Sequence, residues 1–273
     1  MVDTQNSRLA ELIQLLDLEQ IEENLFRASH PAGRTHRLFG GQIIAQALMA
    51  ACRTVPDERP VHSLHAYFLR PGDPSTPALI DVERIRDGRS FTTRRIVVIQ
   101  RGEAIFNMDA SFQVQEAGLE HAFEMPDLTP PDEDALPEVT RSGPFISFQE
   151  NFRAMQDERP QTPMKSIWFK ANGPVPDDPR LHTALMAYES DSALLGTSRL
   201  PHRGGFERRK MQMASLDHAM WFHSPVNVGE WLLYVMESPA SAHGRGYNRG
   251  MIFSHDGTLV ASCIQEGLMR LWD

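Results

Sequence analysis

The sequence contains few of the features that mark secreted, membrane-spanning or metal-binding chains. Only two cysteines occur among its 273 residues, Cys52 and Cys263, and both stand in apolar runs. This predicts buried, reduced thiols in a cytoplasmic protein, and the lack of any CxxC or Cys/His cluster predicts no metal site. Because no run of about 18 apolar residues occurs, no membrane span is expected. The first residues lack the basic and apolar regions of a signal peptide.

Positive charge is also scarce, since 27 Lys and Arg stand against 36 Asp and Glu and give a formal net charge of -9. A chain without an excess of cations lacks the electrostatic footprint of a nucleic-acid-binding protein, so no nucleic acid partner is expected. An anionic small ligand would need a local basic group. The candidates are Arg84/Arg86/Arg89, Arg94-Arg95 and Arg208-Arg209-Lys210, although solvated surface charge is the commoner explanation of such residues.

The first half of the chain predicts an antiparallel sheet that surrounds one buried helix. Apolar residues at helical spacing predict a docking helix over 7–25, and a small-residue segment that is apolar on most faces predicts a buried helix over 39–53. Strand-like segments cover 62–69, 78–86, 90–100 and 103–114, with turn signals between them. The hairpin spacing indicates antiparallel pairing.

The second half repeats this order after a segment over 120–144 that is rich in proline and acidic residues and is predicted to be an extended, solvated linker. A strand is predicted over 166–171, a helix over 181–195, and strands over 211–222, 230–237, 246–254 and 258–266. Gly102 and Gly257 are 155 positions apart, and Pro71 and Pro225 are 154 apart. This offset predicts an internal duplication. The expected domains are 1–118 and 161–273, joined by a linker over 119–160.

Polar side chains interrupt three apolar segments of the second half. Asp191 stands in the predicted helix, Ser215 in the strand that leads into an Asp-His-Ala-Met-Trp-Phe-His run, and Gln265 in the last strand. Buried polar groups need hydrogen-bond partners, so specific contacts are expected. Taken singly, each has an ordinary explanation: a surface carboxylate, a serine bonded to the backbone, and a structural amide between strands.

Seven motifs distributed over nearly the whole chain outside the linker resemble the acyl-CoA thioesterase II family. They are Leu25-Phe-Arg, Phe39-Gly-Gly-Gln42, His62-Ser-Leu-His-Ala-Tyr-Phe-Leu-Arg-Pro-Gly-Asp73, Arg86-Asp-Gly-Arg-Ser-Phe91, Asp217-His-Ala-Met-Trp-Phe-His223, Glu230-Trp-Leu-Leu-Tyr234 and Gln265-Glu-Gly. The resemblance implies an α+β double hotdog fold, in which two tandem antiparallel sheets each wrap around a long central helix. This agrees with the duplication.

The resemblance also implies a site and an activity. Asp191, Ser215 and Gln265 fall on the family positions that hold a catalytic water, and Ser215 replaces a threonine without loss of the hydroxyl. The implied reaction is hydrolysis of medium- to long-chain acyl-CoA, without metal or organic cofactor, by a cytoplasmic homodimer or homotetramer. The absence of a Gly-x-Ser-x-Gly motif argues against an α/β-hydrolase triad.

Several alternatives stay open from the sequence. A non-catalytic acyl-CoA-binding protein of the same fold is the main rival, whereas a hotdog hydratase would need an Asp and His pair at a spacing that is not found. Asp217 and His218 look like a dyad, but neighbouring residues of a strand point to opposite faces, so Asp217 is expected to be structural, and a place near the site stays open. His62 and His65 suggest a metal, but structural roles are expected because no third ligand has a suitable spacing.

Overall fold

Two buried helices form the centre of the fold. The computed structural model describes residues 6–30, 37–132, 143–150, 159–205, 207 and 210–272. Its helices are α1 (Asn6–Leu16), α2 (Gly40–Cys52) and α3 (Pro179–Ala193), and a 3-10 helix, Leu195–His202, follows α3. Every residue of α2 after its first is buried. Helix α3 starts where Asp178 accepts a hydrogen bond from the Arg180 N–H and proline occupies the first turn, an N-cap arrangement that favours helix initiation at this point.

The strands of the described residues form one continuous antiparallel sheet. In the first half they are β1 (Glu19–Glu22), β2 (Leu25–Ala28), β3 (Val61–Phe68), β4 (Ala78–Asp87), β5 (Phe91–Gln100) and β6 (Glu103–Gln113). In the second half they are β7 (Phe145–Gln149), β8 (Met164–Ala171), β9 (Met211–Ser215), β10 (Asp217–Phe222), β11 (Leu232–Ala242), β12 (Arg245–Ser254) and β13 (Leu259–Leu271).

The order of the strands repeats in the two halves with opposite direction. The sheet runs β1-β2-β4-β5-β6-β3 and continues as β10-β13-β12-β11-β8-β7, with β9 paired to β13. Strands β3 and β10 join the halves in antiparallel register, with Ala219 opposite His65. The two sheets that the sequence predicts are therefore fused edge to edge, and each half contributes one helix to the inside of the curve.

Helices α2 and α3 pack against each other in opposite directions, which brings the start of each close to the end of the other. Arg180, in the first turn of α3, donates to the Val55 carbonyl just beyond α2 at 2.7 Å. At the opposite end, the first turn of α2 meets the last turns of α3 through Gly41 and Asp191. Apolar side chains of both halves belong to one core.

A second, smaller core covers the outer face of the C-terminal half. Trp168, Leu233 and Phe253 are fully buried there, and Met125 and Leu128 from the described part of the predicted linker pack against them. The stretch from 114 to 132 contains no helix or strand, in agreement with its composition. Part of this segment nevertheless covers the smaller core, so the predicted linker is not solvated throughout. Residues 133–142 and 151–158 of the predicted linker lie outside the described residues.

Two predicted elements differ from the observed ones, and two observed elements were not predicted. The helix predicted over 7–25 ends at Leu16, and its remainder forms the strands β1 and β2, because Ile21 is exposed and does not extend the buried stripe. The strand predicted over 211–222 is divided into β9 and β10 at Leu216. Strand β7 and the 3-10 helix were not predicted, since one follows the proline-rich segment and the other contains Pro201. The remaining predicted helices and strands are confirmed within a few residues.

Candidate active site

The side chains of Asp191, Ser215 and Gln265 come together inside the C-terminal half. The Gln265 amide nitrogen donates to Asp191 Oδ1 at 2.5 Å and to Ser215 Oγ at 3.0 Å, and the Ser215 hydroxyl donates to Asp191 Oδ1 at 3.3 Å. Gln265 is fully buried, Asp191 is 8% exposed, and Ser215 is half-buried. The serine is therefore the member of this cluster that is most open to solvent. The three contacts form a closed cycle of hydrogen bonds around one carboxylate.

The N-terminal half completes the environment of this carboxylate. The Gly41 backbone N–H donates to Asp191 Oδ2 at 2.8 Å across the interface between α2 and α3. The first N–H groups of a helix have no intrahelical partner and carry partial positive charge, so this position favours an anion. Side chains are excluded here: a Cβ at Gly40 would lie 2.7 Å from Asp191 Oδ2, and one at Gly41 would collide with the Tyr188 carbonyl.

An irregular step between β9 and β10 aligns Ser215 with Gln265. Ser215 pairs with Gly267 in β13, but Ala219 pairs with Ile264, so one extra residue is inserted on the β9-β10 side. Such a bulge interrupts the alternation of faces and redirects a side chain. As a result, both Ser215 and His218 lie beside α3, although they are three positions apart in sequence.

His218 is a buried neighbour of the cluster that the sequence interpretation did not assign to it. Its Nε2 lies 2.9 Å from the Ser190 hydroxyl, one residue before Asp191, and burial holds the pKa of His218 below its usual value. The Ser190 carbonyl accepts a hydrogen bond from Tyr234 at 2.9 Å. These contacts hold the α3 turn that carries Asp191 against the sheet. The Asp-His-Ala-Met-Trp-Phe-His run already marked His218 in the sequence. Its contact with Ser190 could not be predicted, because that contact depends on the bulge.

Asp217 contacts the backbone of the neighbouring strand β13. Its Oδ1 accepts a hydrogen bond from the Glu266 backbone N–H at 2.6 Å, which closes the irregular step in the ladder. Partial burial raises the pKa of Asp217 above its ordinary value, and the nearby Glu266 carboxylate adds to this effect. The expected structural role of Asp217 agrees with this contact.

The other candidates from the sequence have structural partners away from the cluster. His62 lies 2.8 Å from the Ser111 hydroxyl, and His65 packs edge-on against Trp221. Among the described residues, no group of three or more His, Cys, Asp or Glu side chains could hold a metal ion. Arg94 is 1% exposed, and its contacts include Asp87 and Thr54. Arg208 and Arg209 lie outside the described residues.

The chemical capacity of the cluster follows from its donors and acceptors. The Asp191 carboxylate can accept a proton, and it is held by one backbone and two side-chain donors. The side-chain carbonyl oxygen of Gln265, Oε1, is buried and has no hydrogen-bond partner among the described residues. A buried acceptor of this kind requires an explanation, and a small polar molecule that donates to it provides one. The arrangement is suited to the binding and deprotonation of water.

The fold and the cluster together define a class of protein, the hotdog thioesterases. A solved acyl-CoA thioesterase II from Mycobacterium marinum superimposes with a TM-score of 0.84 at 42% identity and covers 96% of this chain and 98% of its own. A solved structure with the hotdog fold from Alicyclobacillus acidocaldarius, at 21% identity and a TM-score of 0.79, shares the fold. The predicted α+β double hotdog is therefore confirmed.

Sequence comparison identifies the family within this class. Residues 150–268 match a family model described as acyl-CoA thioesterase, and residues 28–113 match one described as the acyl-CoA thioesterase N-terminal domain. Acyl-CoA thioesterase 2 of Haemophilus influenzae is 40% identical over 96% of this chain and 98% of its own length. Mouse acyl-coenzyme A thioesterase 8 is 40% identical over 94% of this chain and 88% of its own. The chain belongs to the acyl-CoA thioesterase family and is an acyl-CoA thioester hydrolase.

No helix in the described part of the chain is long and apolar enough to cross a membrane.

Proposed function

We propose that this protein hydrolyses medium- to long-chain fatty acyl-CoA to free fatty acid and CoA by direct attack of a water molecule that Asp191 activates. One observation carries the proposal: a buried carboxylate, a hydroxyl and an amide from α3, β9 and β13 lie within 2.5 to 3.3 Å of each other. The proposal assigns the catalytic role to Asp191, Ser215 and Gln265.

In the proposed reaction, the bound water donates one proton to the Asp191 carboxylate while its oxygen attacks the thioester carbonyl carbon. The carbonyl oxygen gains negative charge in the tetrahedral intermediate. The carbon–sulfur bond then breaks, and the CoA thiolate leaves with the proton that returns from Asp191. Ser215 and Gln265 orient the water, with the Gln265 carbonyl oxygen as one acceptor. No metal or organic cofactor takes part.

Two features support the role of α2 in this reaction. Its first turn approaches Asp191 without any side chain at positions 40 and 41, so its backbone and its positive end meet the carboxylate directly. A positive helix end that lies near the reacting carbonyl stabilises the charge that develops on its oxygen. The proposed site is therefore shared between the two halves.

The decisive variant is Asp191→Asn, which keeps the shape of the side chain but removes the proton acceptor and replaces one of its two accepting oxygens by an NH2 donor. We expect kcat to fall by about 10²- to 10⁴-fold with little change in KM. The measurement is steady-state hydrolysis of acyl-CoA substrates of increasing chain length. Asp109→Asn is the matched control, since Asp109 is a surface carboxylate paired with Arg95, and it should retain full activity.

Single-turnover hydrolysis in ¹⁸O-labelled water separates direct attack by water from attack by the carboxylate. Direct attack delivers the label to the fatty acid and leaves Asp191 unlabelled. A nucleophilic carboxylate would form an acyl anhydride, and mass analysis would then find label in Asp191 or a trapped acyl-enzyme. Full activity of Asp191→Asn would show that hydrolysis does not depend on this carboxylate. Binding of acyl-CoA without turnover by the parent protein would instead favour the rival function, acyl-CoA binding without catalysis.

We further propose a cytoplasmic homo-oligomer, built from domains at 1–118 and 161–273. The two cysteines are buried and unpaired, which is in keeping with a reducing compartment. Measurement of the solution mass would test the expected dimer or tetramer.

A further inference from the structure

Two clefts on the described surface have opposite charge. The first, with a volume of about 770 Å³, is lined by Arg159, Arg203 and Arg245 with His202 and His243, and its lining includes no Asp or Glu. The second, of about 1340 Å³, is lined by five carboxylate side chains and includes no Lys or Arg. In a chain of net charge -9, the first cleft, called the cationic cleft below, is a local exception that favours an anionic ligand.

The cationic cleft lies along the two strands that carry Ser215 and Gln265. Met211 and Met269 line it, and each stands four strand residues from its catalytic candidate, on β9 and β13 respectively. Four strand residues span about 13 Å. Strand β9 is at least partly exposed along its whole length, so an extended ligand can follow it from the site to the cleft.

The dimensions of CoA match this separation. The pantetheine arm joins sulfur to the first phosphorus through thirteen bonds, which corresponds to slightly more than four extended peptide units, or about 15 Å. Beyond the arm lie a diphosphate and a ribose 3′-phosphate, all anionic. Guanidinium groups bind phosphates through parallel N–H donors, and arginine is the residue best suited to this contact.

We propose that the cationic cleft binds the phosphoadenosine end of CoA, with Arg203 and Arg245 as its phosphate-binding residues. This inference rests on the proposed function, because it assumes a thioester at Asp191. It adds a subsite that holds the substrate at its far end, away from the reacting carbonyl. The neutral pantetheine arm would cross the surface between the two sites.

The position of Arg245 suits this role. It follows a tight turn in which His243 and Gly244 both have positive φ, at 53° and 72°, a backbone form typical of two-residue hairpins. The turn fixes the start of β12, so the arginine has a rigid base. Its Nε pairs with Glu266 at 3.0 Å and its side chain is 44% exposed. Since a guanidinium has five donors, the groups at its tip remain for a phosphate.

The test compares one acyl group on two carriers, acyl-CoA and acyl-pantetheine, which lacks every phosphate. For Arg245→Gln and Arg203→Gln, we expect KM for acyl-CoA to rise about tenfold with kcat unchanged, because only binding is lost. Neither KM nor kcat for acyl-pantetheine should change. Arg245→Lys should restore part of the affinity, and Arg95→Gln, on the distant half, is the control that should behave as the parent.

Three results would overturn the inference. If KM rises equally for both carriers, the arginines act through the site and not through the phosphates. If neither KM changes, the phosphates bind elsewhere. The third is a direct measurement: adenosine 3′,5′-bisphosphate should bind the parent more tightly than Arg245→Gln in calorimetry, and equal affinity would contradict the cleft. A parent protein that hydrolyses neither carrier would refute the proposed function, and the nucleotide titration would still decide on the cleft.

Discussion

The two halves of the molecule have the same strand order but different residues at equivalent positions. Pairing of β12 with β13 sets Asn248 opposite Gln265, and pairing of β5 with β6 sets Arg94 opposite Ala110, at offsets of 154 and 155 residues. In the same way, Val61 takes the place of Ser215. Helix α2 contains no carboxylate, whereas α3 carries Asp191. The polar set that could activate water is therefore complete in one half only.

The difference shows how the duplicated fold distributes its tasks. The second half contributes side chains, and the first contributes a helix start at which two glycines allow the backbone to approach Asp191. In the first half, the buried polar residue opposite Ala110 is Arg94, and its role is structural. Arg94 donates to the Thr54 carbonyl at 3.0 Å and thereby connects the end of α2 to the sheet. In the proposed site, one half supplies the side chains that would act on water, and the other supplies support and the electrostatic environment.

Among variants that test the difference between the halves, Gln265→Ala is expected to have the largest effect on kcat. It places in the second half the alanine that the first half has at the equivalent position, Ala110. Loss of the amide removes both contacts to Asp191 and Ser215, so kcat should fall by about 10²- to 10³-fold. Gln100→Ala is the matched control, because Gln100 is a buried strand amide that holds the loop at Asp73 and Thr76. The control should lose stability in urea and keep kcat. Equal kcat losses in both variants would contradict the asymmetry.

A smaller effect is expected at Ser215, where the hydroxyl is the functional group. Ser215→Ala should lower kcat by roughly 10- to 1000-fold, while Ser215→Thr, which keeps the hydroxyl, should retain most activity. Ser111→Ala offers a control in the first half, since Ser111 contacts His62 and not the cluster. Unchanged turnover of Ser215→Ala would show that this hydroxyl has no catalytic part.

The smallest effect on catalysis is expected from Arg94→Ala. The side chain is 1% exposed and bonds to Thr54 and Asp87, so its removal should cost about 2–4 kcal/mol of unfolding free energy with kcat per folded molecule unchanged. Asn248→Ala should instead lower kcat as well, because the Asn248 amide donates to the Gln265 backbone carbonyl and accepts from the Ser198 N–H. Urea unfolding and turnover together check the pair. A catalytic defect in Arg94→Ala would remove the distinction between the halves.

Most of the fold could be predicted from the sequence because its patterns are local. Helix α2 is apolar on most faces, and the strands β4, β5 and β6 alternate between turns. The failures occurred where tertiary contacts determine the outcome. The stripe of α1 continues in sequence to Leu25, but the chain turns at Asp17 and pairs as β1 and β2. The 3-10 helix is held by Asn248, 50 positions away from Ser198.

The site divides in the same way. Asp191, Ser215 and Gln265 could be predicted through the family resemblance, and they do meet. The contribution of Gly41 could not, because it bonds to a residue 150 positions away across the interface between the halves. The approach of His218 to Ser190 could not either, because it depends on one inserted residue between β9 and β10. Pattern and motif identify groups, whereas interfaces and irregular pairings determine which of them touch.

The edge-to-edge junction of β3 and β10 has a consequence for the newly made chain. Strand β3 ends at Phe68 and its partner begins at Asp217, so the ribosome must add about 150 residues before the pairing can form. At about 5–20 residues per second, the open edge of β3 waits roughly 7 to 30 s in a nascent chain whose other strands can already pair. An unpaired edge readily adopts a strand from another molecule. The order of synthesis therefore makes this edge a point at which newly made chains are exposed to mispairing.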